Sequence, residues 1–156
     1  MDVFLRAFTD KDLPLYSSWL DSDHVKQWYS PVEDWLAEMR ERDTTYSWIR
    51  HYIICADDTP IGFCQYYPYW KSGEEWNGSI PANGTYSIDY LIGDVRFLRK
   101  GCAGKALQLL HAQIFAQSDA QRIIVQPDED NQASRKTLLS VGYVYDAKND
   151  VFLLEC

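Results

Sequence analysis

The sequence predicts an α+β fold in which one mixed, mostly antiparallel sheet is flanked by helices. Alternating and helical patterns of apolar residues follow one another in the order β-α-α-β-β-β-α-β-α-β-β. Short links between most strands favour antiparallel pairing, and the two helices between later strands are crossovers that cover the sheet. A chain of 156 residues, 46% hydrophobic and 15% aromatic, is expected to form one domain, residues 1–156.

Elements of the first half are assigned from periodicity and turn residues. The predicted strands are residues 3–8, 46–55 and 61–67, and the predicted first helix is residues 10–21. In the second helix we expect Ser30 to be the N-cap, with Pro31 at the first helical position and Glu33 completing a capping box. An Asp-Asp-Thr-Pro turn predicts a hairpin between the second and third strands.

A long connection, residues 68–84, separates the third strand from the next one. It is rich in turn-forming residues and also carries Trp70, Glu74, Glu75 and Trp76. A link between antiparallel strands needs only a few residues. The connection is therefore either a wall or lid of a binding site or a tolerated surface insertion.

The stretch 85–117 contains the strand, loop and helix around which the other elements are arranged. Residues 85–92 alternate as a strand, and residues 103–117 have apolar side chains at helical spacings. Two glycines in the loop permit sharp turns, and the helix N-terminus offers free N–H groups to an anion. The loop consists of Arg99, Lys100, Gly101, Cys102, Ala103, Gly104 and Lys105. This pattern favours a pyrophosphate-binding loop, and a simple turn before a helix is the alternative.

The last part of the chain supplies one helix and three strands. A strand is predicted at residues 121–125, and a helix at 133–141 ends at Gly142. The strands 143–146 and 151–155 form a closing hairpin.

Composition limits the classes of partner. The formal net charge is −8 and the pI ≈ 4.7, which disfavours nucleic acid and anionic membranes and favours a cationic ligand. The cysteines lack CxxC spacing and the histidines are scattered, so neither a metal site nor a disulfide framework is predicted. Cys102 is either a nucleophile or a packed small residue. The first residues contain no apolar run of membrane-span length, and a cytoplasmic location is expected.

Two motifs resemble those of the GNAT acetyltransferases. Gly101 and Ala103 match the last two fixed positions of the family's acetyl-CoA loop, [QR]-x-x-G-x-[GA], whose first position is unmatched. Asn131 and Ser134, followed by Val-Gly-Tyr at 141–143, look like the family's N-x-x-[AS]…x-G-[FY] ending. The resemblance implies the GNAT fold with a bulged or splayed central strand, and acetyl-CoA as cosubstrate without a metal.

More narrowly, the chain is similar to the aminoglycoside 6'-N-acetyltransferases over nearly its whole length. The matching residues are Trp19-Leu20, His24-Val25, Trp28-Tyr29, Pro60 to Phe63, Gln65, Ser72 to Glu74, Trp76 and Ile88-Asp89. This similarity implies direct transfer of an acetyl group from acetyl-CoA to a primary amine of a cationic small molecule. The amine it implies is the 6'-amine of an aminoglycoside, with antibiotic resistance as the consequence.

The resemblance also implies roles for individual residues. The family's catalytic aspartate, which takes a proton from the ammonium group, falls on Asp89. The positions implied for acetyl-CoA are the backbone groups of Leu91 and Ile92, the loop Arg99 to Lys105, and the side chains of Asn131 and Ser134. The positions implied for the amine substrate are Trp28, Tyr29, Tyr66, Glu74, Trp76, Asp89 and Asp128.

Two positions depart from the family pattern. Many GNAT enzymes have a tyrosine seven residues after the asparagine, as a general acid for the thiolate, and here that position is Leu138. A thiol has a reference pKa of about 8.5, so we expect a lower rate rather than no reaction. A second acidic residue of the family falls on Gln126, and Asp128 is expected to substitute for it.

Other interpretations stay open at this point. A GNAT enzyme of this kind could acetylate a protein N-terminus, a polyamine or a siderophore precursor. A catalytically silent module that only binds CoA is a further alternative, motivated by Leu138. A monomer and a homodimer are both compatible with the sequence.

Overall fold

The computed structural model describes residues 1–156. The strands are β1 Val3–Ala7, β2 Arg50–Ala56, β3 Thr59–Pro68, β4 Thr85–Ile92, β5 Arg122–Val125, β6 Val144–Asp146 and β7 Val151–Glu155. The helices are α1 Leu13–Leu20, α2 Asp23–Lys26, α3 Val32–Arg40, α4 Cys102–Phe115 and α5 Gln132–Ser140. One sheet has the order β1-β2-β3-β4-β5-β7-β6, and only the β4–β5 pair is parallel. The predicted α+β class is confirmed.

The start of α3 differs from the prediction. The helix begins at Val32, so that Pro31 rather than Ser30 occupies the N-cap position, and no side chain caps it. Glu33 does not complete a capping box and instead accepts a hydrogen bond from Arg40 at 2.9 Å. An extended proline lacks a side-chain acceptor, so this helix start depends on packing rather than on capping.

The predicted start of β2 is also wrong. Backbone hydrogen bonds within residues 41–49 form successive turns, and the strand begins only at Arg50. Tyr46 and Trp48, which suggested an alternating strand, belong to these turns, and their ring centroids lie 6.3 Å apart.

The sheet opens between β4 and β5. These two strands pair only at Thr85 with Arg122 and at Tyr86 with Ile123. The pairing of β4 with β3 continues to Ile92 without a register shift. The predicted opening of the central strand is therefore a splay of β4 away from β5, which leaves the later backbone groups of β4 without a strand partner.

Helices cover both faces of the sheet. Side chains of α1 and α3 pack on one face, where Tyr16 and Met39 join Phe63 of β3 in one apolar cluster. Leu107 and Leu110 of α4 pack on the other face, in the largest cluster. Side chains of β3 and β4 therefore alternate between two different environments. None of the helices combines the length and apolar character needed to cross a membrane.

The long connection between β3 and β4 is packed against the sheet. Tyr69 is 1% exposed and clusters with Ile80, Ile124 and Val151. The Trp76 backbone N–H donates to the Tyr69 hydroxyl at 2.8 Å, and the two rings meet edge to face. The connection is therefore a fixed wall of the adjoining cavity rather than a loose insertion.

Candidate active site

Asp89 lies on β4 and lines a cavity of about 300 Å³ on the face covered by α1 and α3. Gln65 lies directly opposite on β3 and donates from Nε2 to Asp89 Oδ2 at 2.9 Å. Burial raises the pKa of Asp89 to about 7, although the Gln65 hydrogen bond lowers it, and the carboxylates of Glu38 and Glu74 raise it further. A carboxyl group with such a pKa can take up and release a proton near neutral pH.

Six aromatic residues line this cavity, which we call the substrate cavity. They are Trp28, Tyr29, Trp35, Tyr67, Trp76 and Tyr90. Tyr29 and Trp35 meet edge to face with ring centroids 4.8 Å apart, and the Tyr29 hydroxyl is hydrogen-bonded to the Tyr90 backbone, which ties this pair of rings to β4. The rings present flat apolar surfaces on several sides of Asp89.

Two further carboxylates, Glu74 and Asp128, line the substrate cavity. Glu74 is held by neutral donors, because the Tyr67 hydroxyl donates to it at 3.2 Å and Trp76 Nε1 at 2.8 Å. No lysine, arginine or histidine lines the cavity. Three carboxylates without a cation favour a positively charged ligand.

The structure does not bring Tyr66 to the substrate cavity, so its predicted position is wrong. Tyr66 lies on the opposite face of β3, 6% exposed, and packs with Tyr52 and Tyr86. Successive side chains of a strand point to opposite faces, so Tyr67 is the tyrosine on the side of Asp89. The same alternation, counted from Gln65, could have identified Tyr67 in the sequence.

A second cavity, of about 860 Å³, adjoins the first and follows the open edge of β4 to the start of α4. We call it the cofactor cleft. Nine of the eleven predicted acetyl-CoA residues line it, namely Leu91, Ile92, Arg99, Gly101, Cys102, Ala103, Gly104, Asn131 and Ser134. The cations of the lining are Arg99 and Lys136, and Asp130 is its one carboxylate. Lys136 was not among the predicted residues. Lys100 and Lys105 are exposed and lie outside the lining.

The start of α4 leaves space for a ligand close to the backbone. Gly101 has φ +78, which favours glycine, and a Cβ built there would meet no atom within 4 Å. A Cβ at Gly104 would meet only Val141, at 3.5 Å. Cys102 points into the core and is 1% exposed, so the structure favours the packed residue over the nucleophile. The free N–H groups of this helix end can therefore reach an anion in the cleft.

The open edge of β4 presents the backbone groups of Tyr90 and Ile92. Successive residues of a strand direct their backbone groups to opposite sides. The Gly93 N–H donates to the Ile61 carbonyl of β3, so Leu91, two residues earlier, also directs its backbone groups toward β3. The predicted contact between the Leu91 backbone and acetyl-CoA is therefore wrong. His24 Nε2 lies 2.9 Å from the Ile92 carbonyl, and the Tyr29 hydroxyl is hydrogen-bonded to the backbone N–H and C=O of Tyr90.

Five residues line both cavities, namely Trp28, Tyr29, Tyr90, Asn131 and Ser134. The Tyr90 hydroxyl lies 2.6 Å from Ser134 Oγ across the opening between β4 and α5. Asn131 caps α5 by accepting from the Ser134 N–H at 3.2 Å. Leu138, in the position where many GNAT enzymes have a tyrosine, is fully buried in the core and reaches neither cavity.

The cofactor cleft fits acetyl-CoA by the residues that it contains. It has a strand edge that no other strand pairs with, an open helix N-terminus with two glycines, and cations for phosphate groups. A long ligand along this edge would reach the substrate cavity where the five shared residues lie. Sequence reasoning missed Tyr90, Trp35 and Lys136 because their approach to the cavities depends on the packing of separate elements, whereas Tyr67 could have been found from the alternation of β3.

Comparisons with known proteins agree with this geometry. The sequence model of the acetyltransferase (GNAT) domain matches residues 9–151. The aminoglycoside N(6')-acetyltransferases type 1 of Klebsiella pneumoniae and of Serratia marcescens are each 26% identical over 147 residues, which cover 90% of this chain and 73% of theirs. The solved structure of aminoglycoside acetyltransferase AAC(6')-Ib with coenzyme A superposes with a TM-score of 0.83 at 22% identity, covering 99% of this chain and 95% of that one.

A second solved structure of that enzyme, with coenzyme A and kanamycin, has a TM-score of 0.80 at 23% identity, covering 99% and 95% of the two chains. The likeness to these two structures shows a shared fold. The family match covers most of the chain and includes the loop at α4 and the strand of Asp89. The chain therefore belongs to the GNAT family of acetyltransferases, enzymes that transfer the acetyl group of acetyl-CoA to an amine.

Proposed function

We propose that this chain acetylates the 6'-amine of an aminoglycoside-like polycation. The observation that carries the proposal is the division of charge between the two adjoining cavities. The substrate cavity holds three carboxylates and no cation, whereas the cofactor cleft is lined by two cations, Arg99 and Lys136, and by one carboxylate, Asp130. Aminoglycosides carry several ammonium groups on sugar rings, which suit carboxylates and flat aromatic walls.

Asp89 is proposed to be the general base. An ammonium group has no lone pair, so it must lose a proton before its nitrogen can attack a thioester. With a pKa of about 7, the Asp89 carboxylate is present at neutral pH and can pair with the ammonium before it takes the proton. Gln65 holds Asp89 Oδ2 and leaves the other oxygen for the substrate.

The rest of the substrate cavity is proposed to bind the polycation. Glu74 and Asp128 would pair with further ammonium groups, and Trp28, Tyr29 and Trp76 would contact the sugar rings. Because Glu74 already has two neutral donors, its carboxylate is oriented before a substrate arrives. A preoriented carboxylate loses less side-chain freedom on binding.

The cofactor cleft is proposed to hold acetyl-CoA, which supplies the activated acetyl group. The N–H groups at the start of α4, from Gly101 onward, would bind the pyrophosphate, and Arg99 would pair with its charge. Asn131 and Ser134 would contact the pantetheine arm. Lys100 and Lys105 would act only through their charge at long range, since they are exposed.

The names of the relatives support the substrate class. Two curated relatives are aminoglycoside N(6')-acetyltransferases, and one structural neighbour was solved with kanamycin. If this chain acts on the same class, resistance to these antibiotics is the proposed consequence.

The test is release of the CoA thiol with a matched pair of aminoglycosides. Neomycin and paromomycin differ in having an amine or a hydroxyl at the 6' position. We expect turnover with neomycin and a rate at least about 100-fold lower with paromomycin. Equal rates on both would contradict 6' specificity. Turnover confined to spermidine or to a peptide N-terminus would retain acetyl transfer but overturn the aminoglycoside proposal.

A further inference from the structure

We propose that the Tyr90 hydroxyl donates a hydrogen bond to the sulfur of the thioester as it leaves, and so stabilises the CoA thiolate. The inference rests on acetyl transfer from acetyl-CoA, but it holds for any amine that receives the acetyl group. It gives a role to a residue that the comparison of motifs did not single out.

The position of Tyr90 carries the inference. Tyr90 follows Asp89 in β4, and its side chain extends from the opposite face of the strand toward α5. It is half-buried and lines both the substrate cavity and the cofactor cleft. The reacting thioester must lie where the two cavities meet, because the acetyl donor occupies one and the amine the other.

The hydroxyl group has a hydrogen atom available for a ligand. Its observed neighbours are Ser134 Oγ at 2.6 Å, where either oxygen can be the donor, and the Ser134 carbonyl, to which it donates over a long 3.4 Å. When Ser134 Oγ donates, the Tyr90 O–H has only this long bond to give up before it points into the junction of the cavities. Ser134 is itself fixed by the cap from Asn131 at the start of α5, so the Tyr90 oxygen has a fixed place.

The reaction leaves a negative charge at this junction. A bond forms between the amine nitrogen and the acetyl carbon, and the carbon–sulfur bond breaks with its electron pair left on sulfur. The ammonium nitrogen loses two protons, one to Asp89 and one to solvent, and the released thiolate takes up one proton from solvent. A donor aimed at the sulfur stabilises the charge that develops on it.

Burial raises the pKa of Tyr90 to about 12, so the phenol keeps its proton at neutral pH. A thiol has a reference pKa of about 8.5, so complete proton transfer from this phenol to the thiolate is uphill. Tyr90 is therefore a hydrogen-bond donor to the sulfur rather than a general acid. Leu138, one helical turn beyond Ser134, is fully buried and offers no alternative donor.

Binding of product CoA tests the hydrogen bond without any amine substrate. Calorimetry would give the Kd of CoA and of desulfo-CoA, which lacks the thiol, for the wild-type protein and for Tyr90→Phe from about pH 7 to about pH 9.5. We expect the preference of the wild-type protein for CoA over desulfo-CoA to grow with pH as the thiolate forms. In Tyr90→Phe the increase of this preference with pH should be roughly 10-fold smaller or absent.

Tyr86→Phe is the matched control. Tyr86 lies on the same strand and loses a comparable hydrogen bond, from its hydroxyl to Asp119 Oδ1 at 2.7 Å, but it lines neither cavity. We expect this variant to bind both ligands as the wild-type protein does. An identical pH dependence in wild type and Tyr90→Phe would overturn the inference.

A leaving-group comparison gives the kinetic counterpart, with whichever amine the wild-type enzyme acetylates fastest. Tyr90→Phe should lower kcat with acetyl-CoA by roughly 10- to 100-fold and leave the Kd of acetyl-CoA unchanged. With the selenoester of CoA, whose selenolate is a better leaving group, the loss should shrink toward none. An equal loss of kcat with the thioester and the selenoester would mean that Tyr90 only ties β4 to Ser134, and would overturn the inference. A wild-type protein that acetylates no amine would contradict this inference and the proposed function together.

Discussion

Asp89 shows how neighbouring atoms set the chemistry of one carboxyl group. It lies in a half-buried position among aromatic rings, and its single side-chain partner is Gln65 at 2.9 Å. Burial disfavours the charged form, whereas the amide donor favours it, and the balance gives a pKa of about 7. Without the burial the carboxylate would be too weak a base for an ammonium group.

Removal of the amide donor should change the pH dependence of the reaction. The Gln65 N–H stabilises the charged carboxylate, so Gln65→Leu should raise the pKa of Asp89 above about 7. The rising limb of kcat against pH should then move to higher pH, with a lower rate at neutral pH. Gln126→Leu is the matched control, because Gln126 lines the same cavity but donates to the Asp150 carbonyl. A limb that stays in place in Gln65→Leu would argue against Asp89 as the titrating base.

The buried carboxyl group should also cost stability. Its pKa is raised on folding, from 3.8 to about 7, so the cost is absent below about pH 4 and complete above about pH 7. Asp89→Asn should therefore increase the free energy of unfolding above pH 7 by about 1–3 kcal/mol, a gain that disappears as the pH falls toward 4. Denaturant unfolding at several pH values measures this. Asp128→Asn, at an exposed position, should show no such gain, and a destabilised Asp89→Asn at pH 8 would contradict the assignment.

The connection between β3 and β4 shows how an irregular element becomes part of a site. Its Tyr69 is buried against Ile124 of β5 and Val151 of β7. Asn149 accepts hydrogen bonds from the Ser79 N–H at 2.8 Å and from its hydroxyl at 3.0 Å. Gly78, with φ +59, allows the close contact with Asn149. These anchors place Glu74 and Trp76 at the rim of the substrate cavity.

Two glycines of this connection offer a matched test of the anchor. Gly73 and Gly78 both have positive φ, but only a Cβ at Gly78 would collide, 2.2 Å from Asn149 Oδ1, while one at Gly73 meets nothing within 4 Å. Gly78→Ala should therefore be destabilising by about 1 kcal/mol more than Gly73→Ala and should raise the KM for the amine, because the wall is displaced. The KM for acetyl-CoA should not change. Equal effects of the two substitutions on stability and on KM would show that the anchor does not hold the wall.

The carboxylate on this wall should contribute to binding rather than to chemistry. Glu74→Gln keeps the size of the side chain and removes its charge, so the KM for a polycationic substrate should rise roughly 10-fold with a smaller effect on kcat. Steady-state kinetics measure both constants. Glu75→Gln is the control, because Glu75 is exposed and does not line the cavity. A large loss of kcat with an unchanged KM would move Glu74 into the catalytic step.

At the level of elements, local patterns predicted most of the fold, while side-chain placement depended on contacts between elements. Alternation and helical spacing identified the strands and helices because each buries one face. The start of α3 was missed because its N-cap is a proline without a side-chain acceptor. Tyr66 was chosen over Tyr67 because both are aromatic, and only the pairing of Gln65 with Asp89 sets which side each occupies.

For the whole molecule, the main feature is the separation of charge between two adjoining cavities in an acidic chain. The net charge of −8 could be counted in the sequence, and it predicted a cationic partner. The grouping of Arg99 with Lys136 along one cleft, and of three carboxylates along the other cavity, could not. These residues come from distant parts of the chain and meet only through the packing of α4, α5 and the sheet.

This charge pattern should make the reaction sensitive to salt. The value of kcat/KM for a polycationic amine should fall as ionic strength rises from about 0.02 M to about 0.3 M, more steeply than for an amine with one charge. The electrostatic attraction between the cavity carboxylates and the approaching polycation is screened beyond a Debye length, and the Debye length becomes shorter as ionic strength rises. Identical salt dependence for both amines would mean that the carboxylates of the substrate cavity do not guide the substrate.

Single-turnover acetyl transfer measures whether Asp89 takes the proton from an amine held in this cavity. Wild type and Asp89→Asn would be compared at about pH 7.5 with neomycin and saturating acetyl-CoA, with the Kd of acetyl-CoA measured for each by calorimetry. We expect a rate at least about 100-fold lower in Asp89→Asn, with the Kd unchanged within about 2-fold. An undiminished rate in Asp89→Asn would contradict this role of Asp89.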